Sequence, residues 1–137
     1  MLTRMDHFTI VTDRLDETLA FYTMLGLREG PRPDFPVAGF WLYIDSHPVL
    51  HVIESTVMPE PRRGVLDHMA YFGEDLAGTA TLLDRAGISY RIIRTPRPFS
   101  MWQMFFLDPN GAEVEIDFAQ DEAPPPNWKS VAGLTDR

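Results

Sequence analysis

Residues 5–27, MDHFTIVTDRLDETLAFYTMLGL, lie without a gap over residues 66–88, LDHMAYFGEDLAGTATLLDRAGI, and the pairing decides the fold. The identical positions are Asp6/Asp67, His7/His68, Leu15/Leu76, Thr18/Thr79 and Gly26/Gly87, and most other pairs match in polarity. Self-similarity on this scale means one supersecondary unit used twice. Each copy reads as a strand, a helix and a glycine stop. In the first, residues 7–12 are rich in β-formers and Asp13 is the expected helix N-cap. Leu15, Leu19, Tyr22 and Leu25 then form an apolar stripe at helical spacing that ends at Gly26. In the second, Glu74 or Asp75 starts the helix, Leu76, Ala80, Leu83 and Ala86 form the stripe, and Gly87 ends it.

Working outward, three strands are predicted after each helix: over 27–30, 40–44 and 49–53 in the first copy, and over 89–94, 102–107 and 112–118 in the second. The last two strands of each copy are joined by turn-forming residues, Asp45-Ser46-His47-Pro48 and Asp108-Pro109-Asn110-Gly111. The unit is βαβββ, and the fold class is α+β: two tandem modules forming a cupped mixed sheet with helices on the outer face. A single domain is expected over 1–118, with modules at 1–55 and 64–118 and a connector at 56–63. Residues 119–137 read as an irregular tail wrapping the surface or a partner, because Pro124, Pro125 and Pro126 cannot continue a central strand. Pro31, Pro33 and Pro36 keep residues 31–38 a loop bordering a pocket.

Composition narrows the function. With 137 residues, 45% of them hydrophobic, the chain can bury a continuous core. Its formal charge of −8, from 20 Asp and Glu against 12 Lys and Arg, disfavours nucleic acid and anionic lipid as partners. No cysteine occurs, so disulfides, thiolate metal sites and cysteine nucleophiles are excluded together. No signal-peptide pattern or membrane-spanning stretch is visible, and the cytoplasm is the expected location.

Strand alternation sorts the chemistry-bearing side chains by face. His7, Thr9 and Val11 point one way and Phe8 and Ile10 towards the helix. In the second copy His68, Ala70 and Phe72 share a face opposite Met69 and Tyr71. On the closing strands His51 lies with Val49 and Ile53, and Glu115 with Glu113 and Asp117. The offset between copies is here 64 residues rather than 61, which pairs His51 with Glu115. The repeat therefore makes His7 equivalent to His68 and His51 equivalent to Glu115, four potential ligands on one concave face. A lone strand histidine is usually a core or surface residue, and it is the repeat that raises these above that. His47 reads as an exposed turn residue, and Glu113 and Asp117 as rim carboxylates. Arg62, Arg63, Arg91, Arg94 and Arg97 suit a solvated rim or pairing with the surplus acids better than anion binding. Trp41, Tyr43, Trp102 and Phe105 fit a core or an aromatic pocket equally, and Gln103 shares Phe105's parity.

The opening strand and helix, their counterpart beginning LDHMAYF, and the closing hairpin FFLDPNGAEVEID together resemble the vicinal oxygen chelate superfamily. That superfamily includes glyoxalase I, extradiol dioxygenases, fosfomycin-resistance proteins and bleomycin-binding proteins, and the resemblance covers about residues 5–118. It implies that His7, His68 and Glu115 are metal ligands. Two imidazoles and a carboxylate suit Fe(II), Mn(II), Zn(II) or Ni(II) and leave positions open for substrate. His51 falls where glyoxalase I has a carboxylate ligand and where extradiol dioxygenases have an acid/base histidine; it is expected as a fourth ligand, giving three His and one Glu, or as a proton-transfer residue, the preferred role. The further histidine and tyrosine of the dioxygenases are missing, with Pro96 to Pro98 and Phe105 in that region. The anion-binding residues of fosfomycin-resistance proteins are missing as well.

The resulting expectation is a metal-dependent enzyme acting on a small oxygenated molecule, with extradiol ring cleavage ahead of glyoxalase-type isomerisation. Thr9, Tyr43, Phe72, Gln103 and Phe105 are the expected substrate contacts. Superfamily members of this length usually dimerise, so a homodimer is expected. The non-enzymatic alternative is a protein that sequesters an aromatic drug.

Overall fold

The βαβββ order read from the repeat is present twice in the computed structural model, which describes residues 1–129. The first copy is β1 (Phe8–Thr12), α1 (Leu15–Met24), β2 (Arg28–Gly30), β3 (Gly39–Ile44) and β4 (His47–Glu54). The second is β5 (His68–Phe72), α2 (Leu76–Arg85), β6 (Tyr90–Arg94), β7 (Trp102–Leu107) and β8 (Glu113–Phe118). Each copy forms a four-stranded mixed sheet, in the orders β1-β4-β3-β2 and β5-β8-β7-β6. The first strand runs parallel to the last in each, β1 beside β4 and β5 beside β8, and the other pairings are antiparallel. The parallel pairing follows from chain order, because an intervening helix and two strands return the chain to the start of the first strand.

Two compact units follow this division: residues 1–65 with 108–112, and residues 66–107 with 113 onward. In the first, Phe40, Leu42, Leu50 and Val52 on alternate positions of β3 and β4 are buried, together with Phe21, Tyr22 and Leu27. In the second, Met69, Met104, Phe106, Val114, Ile116 and Phe118 are buried with Leu76, Ala80 and Leu83 of α2. Alternation thus places one face of each sheet in a core and leaves the other open. The α1 stripe is rotated from the expected one: Thr18, Phe21 and Tyr22 are its buried residues, while Leu15, Leu19 and Leu25 are half-buried.

The reason is a buried polar cluster in the first unit that includes the turn after β7. Tyr22 donates its hydroxyl to Asp108 Oδ2 at 2.9 Å. Thr12 donates to Asn110 Oδ1 at 2.6 Å, and Asn110 Nδ2 donates to Thr18 Oγ1 at 3.0 Å. All five side chains are buried. Leaving one of these polar atoms without a partner costs about 1–3 kcal/mol, so the cluster fixes which way α1 turns. Within the turn, Asp108 Oδ1 accepts from the backbone N–H groups of Asn110 and Ala112, and Gly111 has a φ of +84°.

The helix starts differ between copies. Asp75 caps α2 as expected, its side chain accepting from Gly78 N at 2.9 Å. Asp13 does not cap α1: Arg14 occupies the cap position and no side chain caps it. Thr12 Oγ1 accepts from Arg14 N one residue earlier, and the Asp13 carboxylate lies near Arg14 and Arg62 instead. The tail, described to Lys129, packs on the second unit. The Glu122 carboxylate accepts from the N–H groups of Asp75 and Leu76 at the start of α2. Trp102 Nε1 donates to Glu122 O, and Trp128 Nε1 donates to Ile92 O. The remainder of the tail, residues 130–137, lies outside the described residues. No helix among the described residues is long and apolar enough to cross a membrane.

Candidate metal and substrate site

In the first unit, β1 and β4 are in parallel register with Thr9 opposite His51, and β3 places Trp41 opposite His51 from the other side. His51 is stacked between two rings. Its centroid is 3.9 Å from that of Trp41 with an interplanar angle of 4°, and 3.7 Å from that of His7 at 20°. His51 Nε2 is buried and has no hydrogen-bond partner among the described residues. Burial holds the His51 imidazole below its ordinary pKa, and the neighbouring His7 lowers it further. A neutral ring is the form that can take a proton or bind a metal.

His7 Nδ1 lies 2.8 Å from Asp6 Oδ2. His47 is not a free turn residue, since its Nε2 lies 2.7 Å from Asp6 O. The hydrogen bond to His7 is the main influence holding the Asp6 carboxyl below its usual range. Thr9 is exposed on the same face, and Tyr43 donates its hydroxyl to Pro31 O at 2.6 Å, tying β3 to the loop at 31–38.

In the second unit, His68 Nδ1 lies 2.9 Å from Asp67 Oδ2, repeating the Asp6–His7 arrangement. Its Nε2 is 2.8 Å from Glu115 Oε2. Glu115 is 4% exposed, and with Phe105, directly opposite on β7, it is the buried part of this sheet's open face. Gln103 Nε2 donates to both Glu115 and Asp117. Burial pushes the Glu115 carboxyl above the usual carboxylate range and the adjacent Asp117 pushes it further, while His68 and Arg91 act in the opposite direction. Phe105 is covered by the Arg91 guanidinium, 3.9 Å from the ring centroid, and Phe72 is exposed.

The expected residues therefore stand as two pairs, His7 with His51 and His68 with Glu115. Among the described residues no three or more His, Asp and Glu side chains are gathered into a metal-holding group. The donor chemistry nevertheless fits a divalent ion. When Nδ1–H of a histidine is held by a carboxylate, the tautomer is fixed and Nε2 is left as the donor atom, the usual outer-shell arrangement of metal-bound histidine. Both Asp-His pairs have it. Ligand atoms about 2.1 Å from an ion and at right angles stand about 3 Å apart, close to the His68–Glu115 separation. A buried carboxylate beside a second carboxylate is also costly without a cation to offset it.

The strand-alternation reading missed Asp6 and Asp67, each of which the structure holds against the Nδ1 of its neighbouring histidine. The signal was present, because Asp6/Asp67 is one of the identical pairs of the repeat.

Two βαβββ modules, each a four-stranded mixed sheet with one open face, define the class of fold. The profile of the Glyoxalase/Bleomycin resistance protein/Dioxygenase superfamily matches residues 4–116, and the chain belongs to this superfamily. Its fold is similar to that of a glyoxalase family protein from Bacillus anthracis, with 19% identity, 87% of this chain and 97% of that one covered, and a TM-score of 0.71. A glyoxalase family protein from Enterococcus faecalis gives 25% identity, coverage of 83% and 96%, and a TM-score of 0.64. Lactoylglutathione lyase from Agrobacterium tumefaciens gives 19% identity, coverage of 86% and 95%, and a TM-score of 0.63. No curated protein matches the sequence.

Proposed function

We propose that the chain is a metal-dependent enzyme of this superfamily, acting on a small oxygenated organic substrate, with His7, His68 and Glu115 as ligands of one divalent ion. The observation that carries the reading is the repeated Asp-His pair with Glu115 held against His68 Nε2. The ion, as Fe(II), Mn(II), Zn(II) or Ni(II), would supply Lewis-acid or O₂ chemistry. Asp6 and Asp67 hold the imidazoles in the tautomer that presents Nε2. Gln103 holds the Glu115 carboxylate in place, and Thr9, Tyr43, Phe72 and Phe105 complete the substrate surroundings. His51 moves a proton at Nε2: the Trp41–His51–His7 stack fixes the ring, and burial favours its neutral form. Extradiol ring-cleavage chemistry leads because the stacked, buried His51 ring supports a proton-transfer role. A glyoxalase-type isomerase is second, because the unpartnered His51 Nε2 also suits a fourth ligand. The protein would work as a cytoplasmic homodimer.

The test reconstitutes the chain anaerobically with Fe(II), adds catechol-type substrates and follows O₂ uptake and coloured ring-opened product. Uptake coupled to product supports the dioxygenase reading. No uptake with any catechol, with Zn(II) or Ni(II) supporting turnover of a glutathione hemithioacetal, gives the isomerase. A metal-free protein that sequesters an aromatic drug would contradict both.

A further inference from the structure

We propose that Arg91 recognises a carboxylate, and hence that the substrate of the site carries one in addition to its metal-directed oxygens. This rests on the reading of the open face of the second sheet as a substrate surface. Of the five arginines weighed for anion binding, three are distinguished by their contacts. Arg62 lies near the carboxylates of Asp13 and Glu60 on the surface. Arg94 lies over Trp102 and donates to Gln120 O, which fastens the tail. Arg91 is on the open face. It pairs in register with Phe105, Phe105 with Glu115, and Glu115 with Ala70, so that one row crosses all four strands. Residues directly opposite in such a row share a face, and two strand spacings, about 10 Å, separate the Arg91 and Glu115 backbones. That interval is bridged from the Arg91 end by a guanidinium lying on Phe105.

The stack is the second observation. Arg91 sits 3.9 Å above the ring of a buried phenylalanine, which fixes the plane of the guanidinium. A guanidinium has five N–H donors in a rigid fork suited to a carboxylate. One is used on Glu113, from Nη2 at 3.0 Å, and the Arg91 side chain remains 39% exposed. The pair with Glu113, itself only 9% exposed, occupies one donor of the fork and leaves the others, held flat over Phe105, to be explained. The charges are consistent. The face carries Glu113, Glu115 and Asp117 against Arg91 and His68, and an ion held by His68 and Glu115 would offset the carboxylates and leave Arg91 able to receive an anion.

The test titrates the full chain, metal-free and metal-loaded, with 3,4-dihydroxybenzoate, its carboxamide and catechol by calorimetry. Wild type is expected to bind the carboxylate at least about tenfold tighter than the carboxamide, as a charge-assisted pair does over a neutral one. Arg91→Met is expected to bring that ratio to about one, with the loss falling mainly on the carboxylate rather than on the carboxamide or catechol. Arg91→Lys, a point charge without the fork, should restore part of the ratio and covers the case in which the methionine variant does not fold. A wild-type ratio near one, a ratio that survives Arg91→Met, or no binding of any probe overturns the proposal. Metal content is measured separately. A chain that takes up no ion but keeps an Arg91-dependent ratio overturns the metal reading and supports this one.

Discussion

Glu115→Gln is expected to lower affinity for a divalent ion by more than a hundredfold while leaving the metal-free chain at least as stable at neutral pH. Loss of an outer-shell partner alone costs about 10–100-fold in affinity, and Glu115 is proposed as a ligand itself. The stability half follows from the direction of its pKa. The folded carboxyl is held above its ordinary value, first by burial and then by Asp117. Such a group contributes its stability below its unfolded pKa and loses it as pH rises through the folded value. At neutral pH the ionised carboxylate is a liability in the metal-free chain, and glutamine keeps the shape without the charge. Calorimetric titration with Zn(II) and denaturant unfolding in chelator read the two halves. A variant that binds Zn(II) like wild type, or that loses several kcal/mol of stability in chelator, contradicts the role given to Glu115.

His51→Ala should keep the ion and lose turnover, by about 10²–10⁴-fold, the usual contribution of a positioned acid or base. The ring is clamped between Trp41 and His7, and its Nε2 is buried without a hydrogen-bond partner among the described residues. A substrate proton is what such an atom can serve if the metal does not take it. Metal content and steady-state O₂ uptake are measured on the same preparation. Release of the ion by this substitution makes His51 a ligand and moves the assignment to the isomerase arrangement.

Much of this was legible in the sequence because the chain states its module twice. The second copy's Asp67-His68 doubles the signal of Asp6-His7, and the offset that pairs His51 with Glu115 locates the closing strands. Asp75 as a helix cap and the turn at Asp108 to Gly111 could be read from local chemistry, since each bonds within a few residues. What could not be read depends on partners distant in sequence. The α1 stripe turns towards Thr18 and Tyr22 because of Asp108 and Asn110, about 90 residues away, and no helical periodicity encodes that. Arg91 read as a rim charge because its stack on Phe105 is a cross-strand contact. The Trp41–His51–His7 stack likewise depends on the registers of β4 with β1 and with β3, and parity alone gave only a shared face. Asp13 failed as a cap because the helix begins one residue later, with Arg14 in the cap position and the Asp13 carboxylate near Arg14 and Arg62.

The central claim is tested most directly by an anomalous-scattering map of crystals grown from protein purified without chelator. The account predicts one ion for each His7, His68 and Glu115 set, with nitrogen and oxygen ligands at about 2.0–2.3 Å. An ion held elsewhere while these three side chains diverge, or none after saturation with Zn(II), would contradict it.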